Sequence, residues 1–445
     1  MGASWGELSV ARADEVNLQS GQDEIKRPLA VVQYPEPYVQ PLIVKALQNL
    51  PGLDLEIEEQ HDHTHLRSGR RCVQFADYEA LDFEYAAEHS KSLLTCAYVI
   101  RKALIRKHYL SNTVASWLVK HPSSVLRDHF KSGVHFELDY AEFLDDALVD
   151  AWDLHESMAR NEAGEVAKEW WILKPGMSDG AHGIRLFSSM AQLQEIFEGW
   201  DPDSDVEEQD EDETQDGVEE DMCPRGGATE MTSQLRHFIA QPYIDHPLLL
   251  SSQGNRKFHI RTYVVAVGAL KVFVYREMLA LFSAKSYISP SDSPSDELDL
   301  AQHLTNTCLQ EKSTKDTSVC RYWSLEDTNA PSDWKHSVFT QICSITGELF
   351  EAAAREQMIH FQTIPNAFEV FGLDFLIDQN HQVWLLEVNA YPDFKQTGPD
   401  LQETVVGGLF DGVARVAVAP FFGQAAYAQG DDNMVLVKDL DLGRK

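Results

Sequence analysis

Positive charge is what this chain has least of. Of its 445 residues, 37 are Lys or Arg and 71 are Asp or Glu, which gives a formal net charge of −34. Nucleic acid is therefore not expected as a partner, because binding a phosphate backbone draws on an excess of Lys and Arg. Paired cysteine spacing is missing as well. Cys72, Cys96, Cys223, Cys308, Cys320 and Cys343 are scattered without a CxxC, and they read as reduced thiols of a cytoplasmic protein. No run approaches the roughly 20 apolar residues that span a bilayer. The N-terminus lacks the basic-then-apolar order of a signal peptide, and Gly6 stands where a myristoylation signal wants Ser or Thr. Neither GxxxxGK(S/T) nor GxGxxG is present, and no Ser/His/Asp triad or nucleophilic cysteine suggests itself.

What is present starts with size and uneven charge. The length exceeds what one core usually sustains, so two or three packed lobes are expected. Thirteen acids and no base fall within 201–221. A segment like that cannot bury enough apolar surface to order itself, so 201–232 reads as a disordered insertion. The segment 101–131 is the opposite case, with seven Lys or Arg against the single acid Asp128. Residues 1–26 read as a mobile tail. Strand, turn and helix signals over 29–33, 34–37 and 39–50 open an N-terminal α/β domain, taken as 28–130, and a long helical reading from about 80 to 119 puts Lys102 and Arg106 one turn apart. A central lobe follows over 131–245, a C-terminal lobe over 246–423 and a loosely ordered tail over 424–445. His61, His63 and His65 alternate in a polar stretch with no second ligand group, which reads as a solvated loop rather than zinc.

Two strand pairs place like charges opposite each other. In FGLDFLIDQNHQVWLLEVN (371–389), a turn at Asn380 and His381 sets Asp374 opposite Glu387, with Asn389 further along the same face and Asp378 opposite Val383. In KFHIRTYVVAVGALKVFVYR (257–276), a two-residue turn at Gly268 and Ala269 sets Arg261 opposite Arg276, and Lys257 and His259 alternate onto that face. Directly opposed like charges destabilise a sheet, so the first face implies a bound cation and the second a bound anion. Leu376 and Leu385 make the carboxylate face partly apolar. Oxygen-only ligands there suit Mg²⁺, which takes one or two carboxylates and fills its shell with substrate phosphates. Lys174 ends the strand WWILK and leads into a loop with Gly176, Gly180 and Gly183, where backbone N–H groups can approach phosphate oxygens.

With these residues in hand, the chain resembles the tubulin–tyrosine ligase family of ATP-grasp enzymes, and most of all its fungal branch. The motifs that carry the resemblance are WWILKPGMSDGAHGI, IAQPYIDHPLLL, GNRKFHIRTYVV, VYREMLALFSAKSY, HLTNT and FEVFGLDFLIDQNHQVWLLEVNAYPDF. The resemblance implies an α/β ATP-grasp fold with the nucleotide between two lobes, and ATP and Mg²⁺ as cofactors. It implies that Lys102, Lys174, Lys257 and Arg276 contact nucleotide or its phosphates, and that Gln241 and the Ile244 backbone meet the adenine. Arg261 faces phosphate or the acceptor carboxylate, Thr305 and Asn306 sit near the nucleotide, and Asp374, Glu387 and Asn389 hold magnesium. Arg261, Arg276, Asn306 and Glu387 carry the catalytic expectation. His259 stands where the family has aspartate beside the nucleotide, which removes a negative charge and adds a titratable group.

The implied reaction is ATP-dependent joining of a free amino acid to a protein carboxylate through an acyl phosphate. The expected partner is a protein with an acidic tail, tubulin being the family's substrate, and no membrane is involved. A ligase for another protein, one that adds glutamate, and an ATP-binding interaction module without catalysis are the rival readings.

Overall fold

The computed structural model describes residues 27–59, 69–164, 167–176, 183–200, 237–293, 298–305, 318–327, 330–424 and 433–442. The acidic run, the 61–65 histidines and the 1–26 tail lie outside them.

The N-terminal lobe is a parallel sheet in the order β2-β1-β3-β4, formed by β1 (Leu29–Gln33), β2 (Glu56–Glu58), β3 (Cys72–Ala76) and β4 (Leu93–Thr95). Its central strands, LAVVQ and CVQFA, are almost wholly apolar and buried, as a parallel sheet covered on both faces requires. Helix α1 (Val39–Gln48) buries Val39, Leu42, Ile43, Ala46 and Leu47, which form one stripe at helical spacing. The long helix expected over 80–119 is broken up. The strand β4 and a short helical turn, Lys102–Ile105, interrupt it, and Arg106 is extended before α2 (Lys107–Lys120) begins.

The central lobe is an antiparallel sheet in the order β5-β8-β6-β7, formed by β5 (Val134–Glu137), β6 (Trp171–Pro175), β7 (Arg185–Phe187) and β8 (His237–Pro242). Helices α3 (Trp152–Ala163) and α4 (Met190–Glu198) belong to this lobe, and their Leu154, Met158, Leu193 and Phe197 share its core with Trp171, Phe187 and Phe238.

The large lobe is built on one long strand, β9 (Arg256–Val267). Along one edge runs β13 (Phe368–Ile377), which pairs in turn with β14 (Val383–Ala390). Along the other edge lie β10 (Lys271–Tyr275) and then β11 (Leu279–Ser286), with β12 (Val319–Arg321) beyond. Helix α5 (Trp334–Glu356) packs Val338, Ile342, Ile345 and Leu349 into the core under this sheet. A further helix, α6 (Gln402–Phe421), is 20 residues long and apolar enough to cross a membrane by length and composition, where no such run was expected from the sequence. Its Val405, Val406, Leu409 and Val413 are buried in a cluster with α1 and with Tyr263 and Phe273 of the sheet. The segment after Gly423, expected to be loose, supplies β15 (Met434–Asp439), which pairs with β10.

Both charged hairpins differ from the expected register. In the β9–β10 hairpin Val267 pairs with Lys271, so the turn holds three residues, led by Gly268 at φ +62°. That slip of one position turns Arg276 to the opposite face from Arg261. The chain then bulges at 276–278 before Leu279 pairs with Arg261, so Arg276 and Arg261 are not opposed. In β13–β14 the expected pair of Asp374 and Glu387 is present. An extra residue at Leu386 then shifts the register, and Val383 faces Ile377 instead of Asp378. Asp378 shapes that turn by accepting the backbone N–H groups of Asn380 and Gln382.

Candidate active site

A cleft of about 590 Å³ opens between the central sheet and the large lobe. Lys257, His259 and Arg261 are alternate residues of β9, so they point together into the cleft. They are only 7%, 6% and 6% exposed. From the facing lobe, β6 contributes Ile172 and Lys174, and the end of β8 contributes Gln241, Tyr243 and Ile244. Asp374, Leu376, Leu385, Glu387 and Asn389 line the cleft from β13 and β14, and Thr305 lines it from the segment before residue 306. The bulge at Leu386 lets two successive leucines face the same space beside Glu387.

The opposed carboxylates are balanced by side chains rather than left to repel. Asp374 lies between Glu387 on β14 and Arg261 on β9. Arg261 Nε and Nη2 reach the two Asp374 oxygens at 2.6 and 3.0 Å, which is a bidentate fork. His259 Nδ1 is 2.5 Å from Thr305 Oγ1, and its Nε2, 3.7 Å from Asp374, has no hydrogen-bond partner among the described residues. Burial lowers the His259 pKa and so favours the neutral ring. Burial acts to raise the Glu387 pKa, but Lys107, Lys174, the Asn389 amide and Arg261 outweigh it and hold the carboxyl near 2. Lys107 Nζ lies 3.7 Å from Glu387, and Asn389 Nδ2 donates to Glu387 at 3.1 Å.

Two lysines of the cleft, Lys174 on β6 and Lys257 on β9, have uncharged hydrogen-bond partners. Lys174 Nζ donates to the Gln241 carbonyl at 3.0 Å, and the Gln241 amide in turn donates to the Lys131 backbone oxygen at 2.9 Å. Lys257 Nζ donates to the Tyr243 hydroxyl at 2.8 Å. Burial lowers these ammonium groups to about 8 and about 7. Desolvated cations of this kind suit an incoming polyphosphate, which would restore what burial takes from them. Ile172, Ile184, Ile244, Leu376 and Leu385 offer apolar walls for a flat base. Among the described residues no three His, Cys, Asp or Glu side chains are arranged to hold a metal by themselves. An ionised Glu387 with Asp374 and Asn389 is the sparse oxygen set that Mg²⁺ accepts when phosphates complete its shell.

Of the residues expected at the site, Lys174, Gln241, Ile244, Lys257, His259, Arg261, Thr305, Asp374, Glu387 and Asn389 are brought together here. Lys102 is exposed on its helical turn and does not line the cleft. The break at Arg106 instead puts Lys107, at the start of α2, into it. Arg276 lies elsewhere, over the rings of Trp323 and Phe339 at 5.0 and 5.3 Å. Asn306 falls outside the described residues. Besides Lys107, the sequence reading missed Lys131, Tyr243 and His303, which line the cleft, and Gly372. A Cβ on Gly372 would come within 2.8 Å of Pro392 and 3.3 Å of the Arg261 side chain. Tyr243 sits two residues past Gln241, and that spacing was the available signal.

The family model described as Tubulin-tyrosine ligase family matches residues 103–425. A "Probable tubulin–tyrosine ligase" of Schizosaccharomyces pombe is 42% identical over 96% of this chain and 99% of its own length. The "Probable tubulin–tyrosine ligase PBY1" of Saccharomyces cerevisiae is 43% identical over 89% of this chain, and the match spans 51% of that relative. Among solved structures, the C-terminal domain of K. lactis Pby1 matches with a TM-score of 0.68 and 35% identity, over 93% of this chain and 99% of that one. That protein is described as an ATP-grasp enzyme interacting with the mRNA decapping enzyme Dcp2. The two-lobed cleft is thus an ATP-grasp cleft, and the chain belongs to the tubulin–tyrosine ligase family.

Proposed function

We propose that this chain is an ATP-dependent carboxylate–amine ligase that joins an amino acid to a protein carboxylate in the cytoplasm. The observation that carries the reading is the meeting of desolvated lysines and an ionised carboxylate in one cleft. Lys174 and Lys257, desolvated and held by uncharged partners, face the ionised Glu387 with Asn389 beside it. ATP is the substrate whose phosphates fit the lysines, and Ile244 and Gln241 border the space for its base. Asp374, Glu387 and Asn389 would hold Mg²⁺, which when bound neutralises charge on the transferring phosphoryl oxygens.

The acceptor carboxylate takes the γ-phosphoryl group to give an acyl phosphate, and the amine then displaces phosphate to form the amide. Both steps gather negative charge, and Arg261, fixed by its fork to Asp374, and Lys107 are cations placed beside it. No protein nucleophile is needed. The curated relatives named for tubulin make an acidic tubulin tail the first acceptor to test, and Lys107 and Lys131 of the basic 101–131 segment meet it at the cleft.

A second reading is favoured by the interaction named for the K. lactis protein, and by His259 standing where the resemblance implies an aspartate. It makes the chain a nucleotide-binding interaction module. Incubation with labelled amino acids, ATP and candidate acceptor proteins separates the two. Label transfer that is lost in Glu387→Gln supports the ligase, whereas ATP binding without any turnover supports the module.

A further inference from the structure

Lys257 is anchored by a chain of uncharged groups. Its Nζ donates to the Tyr243 hydroxyl at 2.8 Å and lies 4.2 Å from the centre of the same ring. An ammonium has only hydrogens to offer, so the hydroxyl accepts here and its own hydrogen is free to go elsewhere. The His303 Nδ1, 3.0 Å away, is placed to receive it. Burial pulls His303 down to about 4, so the ring is neutral and its Nδ1 can accept. His303 is held in turn by a segment whose Thr305 is tied to His259 on β9. Gln241, two residues before Tyr243, anchors the other lysine, Lys174, so one strand end aims both.

We propose that Tyr243 and His303 are positioning residues for nucleotide binding that act through Lys257, fixing its direction into the cleft without a carboxylate so that its charge is left for a polyphosphate. The inference rests on the reading of the cleft as an ATP site. A carboxylate in place of Tyr243 would hold the ammonium more tightly but would compete with the ligand for it. An uncharged holder leaves the cation short of a counter-charge until an anion arrives. Among the described residues the ionisable groups around Lys257 are Lys174 on β6, which lowers its pKa, Asp245 after β8, which raises it, the neighbouring His259, His303 and Tyr243, and Tyr287, which lies beside Tyr243 and His303. In the empty cleft Lys257 sits near 7, and a bound triphosphate favours its charged form. Binding therefore takes up a proton above that pH, and ATP affinity falls as pH rises through it.

The test is calorimetric titration of the full chain with ATP in two buffers of different ionisation enthalpy, from about pH 6 to 9. Tyr243→Phe keeps the ring over the lysine and removes only the hydroxyl. It should weaken binding roughly tenfold, the scale of one hydrogen bond to a charged group, and move the midpoint of the pH dependence to lower pH. His303→Leu should act in the same direction, while His303→Asn, which keeps an acceptor near the Nδ1 position, should lie closer to the unaltered protein. In a Lys257→Met background, Tyr243→Phe should add no further loss. Unchanged affinity and midpoint in Tyr243→Phe, or a full additional loss in the Lys257→Met background, overturns the proposal. If Lys257→Met itself binds ATP as before, the nucleotide reading of the cleft fails. If it binds weakly while Tyr243→Phe is normal, only the positioning role fails.

Discussion

Glu387 lies among three cations, Lys107, Lys174 and Arg261, and this links its chemistry to acid stability. Held near 2 by Lys107, Lys174, Asn389 and Arg261 against the opposing effect of burial, it lies below the usual glutamate value of about 4.3. A carboxyl depressed in this way stabilises the fold above the unfolded value, and that contribution is lost as pH falls toward 2. The unaltered protein should therefore lose more denaturation free energy between about pH 5 and pH 2 than Glu387→Gln does. Urea titrations across that range measure the difference, and parallel pH curves for the two proteins would remove the charge argument. At neutral pH the same variant should keep its fold and lose ATP turnover.

At the scale of elements, the β13–β14 hairpin shows how a strand pair can build a site around one glycine. Gly372 pairs with Asn389, and its missing side chain leaves room for Arg261 to lie across toward Asp374. In Gly372→Ala the methyl would press on Pro392 and Arg261, so the Arg261 fork should be displaced. ATP turnover is expected to fall at least about tenfold, the cost of a roughly 1 Å misplacement or more, while the circular dichroism spectrum is preserved. Normal turnover would show that the arginine tolerates the shift. The pairing of Asp374 with Glu387, and the alternation of Lys257, His259 and Arg261, were legible because a period of two is written directly in a strand. Arg276 was not legible. Its face depends on whether the turn at Gly268 holds two residues or three, and on a bulge at 276–278 that no local residue announces. Lys107 was missed for a similar reason. A helical stripe read straight through Arg106 cannot show that the backbone there turns extended. The cation implied by opposed carboxylates was half an argument, since it left out that a third strand could bring an arginine against them.

At the scale of the molecule, the described residues on either side of the acidic stretch meet in one place. Residues 201–236 depart after Trp200 and return at His237, and the Trp200 ring stacks on that of Phe238 with centroids 5.9 Å apart. Trp200 and Phe238 belong to one core, with Phe136 and Phe197. A short Gly/Ser bridge in place of 201–232 should therefore leave the melting temperature nearly unchanged, because closing a shorter surface loop costs little. It should also remove fourteen acids and one arginine, a net of thirteen negative charges, so that an acidic acceptor peptide binds more tightly at low salt and the gain fades as salt rises. A large drop in melting temperature would show that the stretch packs on the body.

The placement of β15 has a consequence for how the protein is made. Residues 434–439 cover the edge of β10, more than a hundred and fifty positions earlier in the chain. During synthesis the nucleotide lobe must wait with that edge bare, its backbone N–H and C=O groups open to any passing strand, until these residues leave the ribosome. Chains interrupted after α6 would carry a nearly finished cleft and an uncovered, adhesive border. By its pairing β15 shields β10 from stray strands, although none of its residues lines the cleft.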